Sequence, residues 1–296
     1  MPPTIIDAHH HIWLQRDLPW LTGPMVPRIF GPYEAIRRDY PMAEFLADLD
    51  GLGVGKSVYI QVNWAPERYA DEVAWVSEVH AETGWPHAIV GYADMLADDV
   101  RPQLERLAEY PLMRGIRMQI HWHENEMYRF AQDPDLATDP LFRINVAALA
   151  DFGWSFDLQV FTSQMAGAAA LAAACPDVPF ILQHAGMPED RTPEGRAAWR
   201  AGLETLAAQP NVNTKLSAFG TFIHRNDPAF IAEVTAETVA VFGPERCLWG
   251  SNFPIEKLWT DYASVLRAHR DATAGMDAAA RDAIFHDTAA RIYRPV

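Results

Sequence analysis

The densest concentration of reactive side chains is the histidine run at positions 9, 10 and 11, set in Ile5-Ile6-Asp7-Ala8-His9-His10-His11-Ile12-Trp13. In an extended strand, alternation puts Ile5, Asp7, His9 and His11 on one face and Ile6, Ala8, His10 and Ile12 on the other. Two imidazoles spaced i, i+2 on one strand face can grip a single metal ion from the same side; a helix needs i, i+4. Asp7, on the same face, is placed to orient one of the rings. The apolar flanks separate this run from an affinity tag, and buried histidines without partners are costly. The spacing therefore points to metal binding or acid–base catalysis.

Something must hold such a strand. The chain has 296 residues, 49% of them hydrophobic, enough to bury a large core without disulfide staples. Its formal charge of −15 argues against nucleic acid or an anionic membrane as partner. Cys175 and Cys247 lie far apart in apolar surroundings and read as buried free thiols. Met1 to Thr4 shows no leader pattern, and the Ala-rich tract 166–175 is too short to span a bilayer, so a cytoplasmic setting is expected.

After His11 comes a loop of about thirty residues rich in Pro, Gly and aromatics, the length of a functional flap. Beyond it, apolar β runs alternate with helical patterns. Strands are predicted at Lys56–Val62, His87–Tyr92, Met113–Trp122, Trp154–Val160, Phe180–His184, Val212–Ser217 and Cys247–Gly250. A second long loop covers 123–139, and helices at Thr260–Arg270 and Asp277–Tyr293 close the chain. Counted from Ile5, this makes eight strands alternating with eight helices, plus a C-terminal helix. The pattern predicts an α/β fold, a (β/α)8 TIM barrel, as a single domain over 1–296 with long loops after strands 1 and 4.

In such barrels the chemistry sits at the C-terminal strand ends. The sequence places there His9 and His11; Gln61, Asn63 and Trp64; Arg117, Gln119, His121 and His123; Asp157 and Gln159; His184; Lys215 and Ser217; Ser251 and Asn252. Polar residues rarely gather at one rim for packing alone. Arg117 is either a substrate ligand or a rim arginine paired with Asp157. Lys215 in a barrel mouth calls for an ion partner or a function. Trp13, Trp20, Trp64 and Trp122 fall in or beside the rim loops, where flat walls suit a ring-shaped substrate.

Asp-Ala-His-His-His-Ile-Trp at 7–13, Arg-Gly-Ile-Arg at 114–117, Gln-His-Ala-Gly-Met-Pro at 183–188, Lys-Leu-Ser at 215–217 and Trp-Gly-Ser-Asn-Phe-Pro at 249–254 resemble the amidohydrolase superfamily. Within it they resemble the branch of sugar-acid lactonases such as fuconolactonase, and pyrone-dicarboxylate lactonase. The resemblance runs from the first strand to the last helix. It implies His9, His11 and His184 as ligands of a divalent metal, most simply zinc. It also implies Arg117 as the group holding an anionic or carbonyl substrate and Lys215 with Ser217 as the seventh-strand polar pair. Asn252 stands where the superfamily usually has a metal-binding aspartate that takes a proton from the attacking water. A neutral amide cannot do that at pH 7.

Two routes to a nucleophile stay open. Three imidazoles could hold zinc and bring the pKa of a bound water to about 7; alternatively no metal is needed and His184 is the general base. The expectation is hydrolysis of a lactone, a sugar-acid or carboxylate-bearing one, with His184, Asn252 and Arg117 catalytic. Gln61, Asn63, Trp64, His121, Gln159, Lys215 and Ser217 are then substrate contacts. Rival readings are a metal-dependent decarboxylase of an aromatic acid and a catalytically silent binding barrel. The expected partner is a small molecule, with a homo-oligomer compatible with the sequence.

Overall fold

The computed structural model describes residues 3–296. Eight strands lie side by side in sequence order, every pair parallel: β1 Ile5–His10, β2 Val54–Ile60, β3 Ala88–Gly91, β4 Met113–Ile116, β5 Ser155–Leu158, β6 Phe180–Leu182, β7 Val212–Leu216 and β8 Cys247–Trp249. Parallel neighbours need crossovers, which are supplied by helices such as Tyr69–Thr83, Met165–Ala174, Pro193–Ala207 and Pro228–Phe242. The sheet closes where the chain beyond β8 returns to β1: the Asn252 amide donates to His9 O (2.7 Å) and the His11 amide to Phe253 O (2.8 Å). Gly250 permits that closure, because a Cβ there would stand 2.6 Å from His9 Cβ and 2.9 Å from its nitrogen. The molecule is a (β/α)8 barrel.

Strand alternation fails in one informative place. Asp7 pairs with Ser57 but His10 pairs with Tyr59, so β1 spends three steps where β2 spends two. This bulge resets the phase. Ile6 and Ala8 join Val58, Ile60, Val90, Ile181 and Leu248 in the inner cluster, His11 turns toward the barrel mouth, and His9 lies beside the His11 and His184 rings. Asp7 instead points outward. Its carboxylate accepts from the amides of His9 (3.1 Å) and Ser251 (2.9 Å) and from Tyr262 Oη (2.9 Å), so it orients backbone and not an imidazole. The expectation that Asp7 shares a face with His9 and His11 is thereby corrected.

The predicted β4 run was too long. Only Met113–Ile116 is strand, and residues 117–123 follow without regular secondary structure, with Arg117, Gln119 and His121 lining the mouth. The C-terminal helix is likewise broken into Ala278–Asp282, a π-helical turn Ala283–Asp287 and Thr288–Tyr293, whose last residues plug the inner cluster. The long loop after β1 is a packed flap. Trp13 Nε1 donates to Arg38 O (2.7 Å), Trp20 Nε1 donates to Val62 O (2.9 Å), and Trp13 and Tyr40 exchange backbone hydrogen bonds. Both cysteines are buried and free. Among the described residues no helix is long and apolar enough to cross a membrane.

Candidate active site

Four strands end in a non-glycine residue with positive φ, Asn63 (61°), His184 (56°), Ala218 (58°) and Asn252 (56°), and all four line one cavity. Left-handed backbone costs a histidine or alanine on the order of 1–2 kcal/mol. After β6 it runs unbroken through His184, Ala185, Gly186 and Met187. Such strain is retained where surrounding structure enforces it, and here it turns His184 into the mouth. The cavity is about 350 Å³, a size that holds a small ring-shaped molecule.

His9 and His184 have ring centroids 4.8 Å apart, and His9 and His11 5.0 Å. His11 Nδ1–H donates to Ile60 O (2.8 Å), and His184 Nδ1 meets Ser217 Oγ at 2.8 Å, so in both rings Nε2 is the nitrogen left for chemistry. Burial holds all three rings well below the usual histidine pKa, reinforced by the cations Lys215 and Arg117. They are neutral at pH 7. His10 faces away, stacked on Phe45 at 4.0 Å, and burial takes its pKa down to about 3.

Beneath the imidazoles lies a buried ion pair. Lys215 Nζ donates to Asp157 Oδ2 (2.7 Å), which also accepts from Gln183 Nε2 (3.0 Å) and Tyr293 Oη (3.0 Å). Asp157 thus belongs to Lys215 and not to Arg117. Arg117 donates through its guanidinium to Gln61 O, and Gln61 returns a bond to Arg117 O (3.2 Å). Burial lowers the Arg117 pKa to about 10, still well above neutrality.

Several expected substrate contacts do not reach the cavity. Gln61 is spent on Arg117 and Asn63; Lys215 and Ser217 sit one layer below, bracing His9 and His184; Trp64 packs on Trp75 under Arg68. Asn63, Arg117, Gln119, His121, Gln159, His184 and Asn252 do line it, as do Trp13 and Trp20, whereas Trp122 does not. Gln119 donates to Gln159 Oε1 (3.2 Å), forming one polar wall. Sequence reasoning missed the loop residues Arg28, Phe30, Tyr128, Phe130 and Phe222 that also line the cavity.

Asn252 covers a hidden acid. Glu256 is buried, its Oε2 accepting from Trp259 Nε1 (2.8 Å) and its Oε1 without a partner. Burial pushes its carboxyl up to about 8, with Trp259 and the Asn252 amide opposing the rise. A folded-state pKa above the unfolded value means that the native chain binds an extra proton between about pH 4.5 and 8, so stability from this group falls as pH rises through that window. Glu256→Gln is therefore expected to unfold at a higher temperature than the native chain at pH 8, with the gain shrinking toward pH 5. Equal pH slopes for the two in thermal melts would contradict this.

Ring spacings near 5 Å would let pairs of these imidazoles share one ion. Charge and protons oppose it. Lys215 Nζ stands 3.4 Å from His9 Nδ1, and an ammonium only donates, which puts the ring proton on His9 Nε2, a buried atom with no acceptor. Arg117 adds a second cation, and Asn252 supplies no negative charge. Among the described residues no three of His, Cys, Asp or Glu are gathered into a metal cage. As arranged, the expected set His9, His11 and His184 does not fit a resident divalent ion.

Residues 6–294 match the amidohydrolase family model. The chain belongs to the amidohydrolase family. Among curated relatives it is similar to the protein y4mH of Sinorhizobium fredii, 37% identical with 98% of each chain covered. It is also similar to an L-fucono-1,5-lactonase of Burkholderia multivorans, 31% identical over 97% of this chain and 95% of that one. Among solved structures, an amidohydrolase from Burkholderia multivorans with bound zinc superposes with a TM-score of 0.81 at 28% identity, covering 99% of this chain and 100% of that one. In this member the mouth of the barrel holds the neutral imidazoles of His11 and His184 beside the Arg117 guanidinium.

Proposed function

We propose that this amidohydrolase opens the ring of a lactone with water, His184 serving as general base. The observation that carries the reading is the His184 imidazole: uncharged, strained into the cavity, and braced at Nδ1 by Ser217. With Nδ1–H donating to Ser217 Oγ, Nε2 keeps its lone pair for a water. That water's oxygen bonds to the lactone carbonyl carbon while its proton moves to Nε2. The carbonyl electron pair shifts onto oxygen, held by N–H donors of Arg117 and Asn252. Collapse breaks the bond to the ring oxygen, which takes the proton back from His184. The product is a hydroxy acid that ionises, releasing one proton per turnover.

The surroundings of His184 make its protonated form costly, which favours rapid return of the proton to the leaving alkoxide. An ester leaving group needs less push than an amine, so a site without the eighth-strand aspartate suits a lactone better than an amide. The lactonases among its relatives support the same substrate class. Ring opening of a panel of five- and six-membered lactones, followed by acid release with a pH indicator, is expected to show turnover; carbon dioxide release from hydroxybenzoates instead would overturn the reading. Protein purified without chelator is expected to carry well under one zinc per chain, and incubation with EDTA to leave lactone turnover within about twofold. Stoichiometric zinc whose removal abolishes turnover would refute the metal-free base.

A further inference from the structure

The chain carries a formal charge of −15, yet the formally charged residues lining the cavity are Arg28, Arg117, Arg129 and a single acid, Glu126. Two of the three guanidiniums are already engaged. Arg117 donates to Gln61 O, and Arg129 donates to His123 O (3.0 Å) and Glu124 O (3.2 Å) while lying over Trp122. Arg28 is different. Its guanidinium carbon lies 5.2 Å from the Trp20 ring and 5.7 Å from the Tyr33 ring, and no carboxylate or carbonyl among the described residues accepts from it; its Nε is buried without a partner.

The clamp around Arg28 is fixed. Trp20 is pinned by its bond to Val62 O and packs edge-on against Trp13, and Tyr33 is almost wholly buried, its Oη accepting from the Val26 amide. Aromatic faces hold a guanidinium in place but leave its in-plane N–H fork unused, and that fork matches a carboxylate. A cation kept rigid, partly desolvated and unpaired at a cavity wall fits an anion that arrives with the ligand.

Resting on the lactonase reading, we infer that Arg28 is a specificity residue that binds a carboxylate borne by the substrate outside the bond that is cleaved. The preferred substrate is accordingly an anionic lactone, with its carbonyl at Arg117 on the barrel floor and its free carboxylate at Arg28 on the flap. Arg28 takes no part in moving protons or electrons.

The test uses the δ-lactone of α-hydroxyadipate, which keeps one free carboxylate, and the matching carboxamide, with the full chain and the variants Arg28→Gln and Arg28→Lys. A charge-assisted hydrogen-bonded pair carries about 10- to 100-fold in affinity. Arg28→Gln is expected to raise KM for the carboxylate lactone by that factor with kcat within about threefold, leaving the carboxamide's constants unchanged; Arg28→Lys should recover only part. Parallel loss on both lactones, or no loss on either, would overturn the assignment. If neither lactone is opened by the native chain, the hydrolase reading fails by itself. The Arg28 contact is then read by calorimetric titration with α-hydroxyadipate and its monoamide: weaker dianion binding in Arg28→Gln upholds it, equal Kd in variant and native chain refutes it.

Discussion

Replacing His184 by asparagine is expected to lower kcat/KM for lactone opening by about 10²–10⁴-fold, the range lost with a general base. Asparagine is the informative choice because it tolerates the left-handed backbone that His184 adopts at φ 56°. An alanine variant would mix chemistry with strain. The fold should survive: unfolding free energies of His184→Asn and the native chain should agree within about 1 kcal/mol, the range of a substitution that opens no large core cavity. The native enzyme's acid limb should also fall well below pH 6.5, because burial, Arg117 and Lys215 all disfavour the imidazolium. An acid limb at the ordinary histidine pKa, or a His184→Asn variant retaining more than a tenth of the activity, would remove His184 from the chemistry.

The barrel was legible because its signals are local and repeated: apolar runs bounded by turn residues recur eight times, and a parallel barrel is the arrangement that alternation of this length permits. One rule about strand ends pointed to the rim residues, and His11, Asn63, Arg117, Gln159, His184 and Asn252 line one cavity while His9 lies behind them. What escaped was whatever depends on backbone phase or distant packing. One extra residue between Asp7 and His10 takes His11 off the face Asp7 points to, and no pattern within β1 itself announces a bulge whose cause is registry with β2. Lys215 and Ser217 lie at the end of β7 as expected, but whether such residues face substrate or brace a histidine is decided by neighbours on β5 and β6. Arg28 sits in a flap with no periodicity, so only the folding of Trp20 and Tyr33 around it gives it a place. Glu256 is buried by Gly220 and Trp259 packing against its carboxyl, contacts that no pattern around Glu256 announces.

The largest stability effect is expected from Asp157→Asn. Asp157 and Lys215 are both fully buried, and the carboxylate also gathers Gln183 and Tyr293, so one side chain joins β5, β6, β7 and the terminal helix Thr288–Tyr293. Burial already lowers the Lys215 pKa to about 8, with Asp157 as the main opposing influence and Arg117 adding repulsion. Removing the negative charge leaves an ammonium in a cavity floor beside a guanidinium, and breaking such a pair costs about 3–5 kcal/mol. The sign with pH distinguishes this cause from lost packing. Without its partner the lysine's folded pKa falls further below the unfolded value near 10.4, so the native state binds fewer protons than the unfolded chain across that window, and stability rises with pH. Asp157→Asn should therefore be most damaging near pH 6 and partly recover by pH 9. Adding Lys215→Met should restore much of the loss at pH 6, since no charge is then left unpaired. Urea unfolding of the native chain, both single variants and the double variant at the two pH values closes the cycle; additive losses with no pH dependence would show that the pair matters only as packing volume.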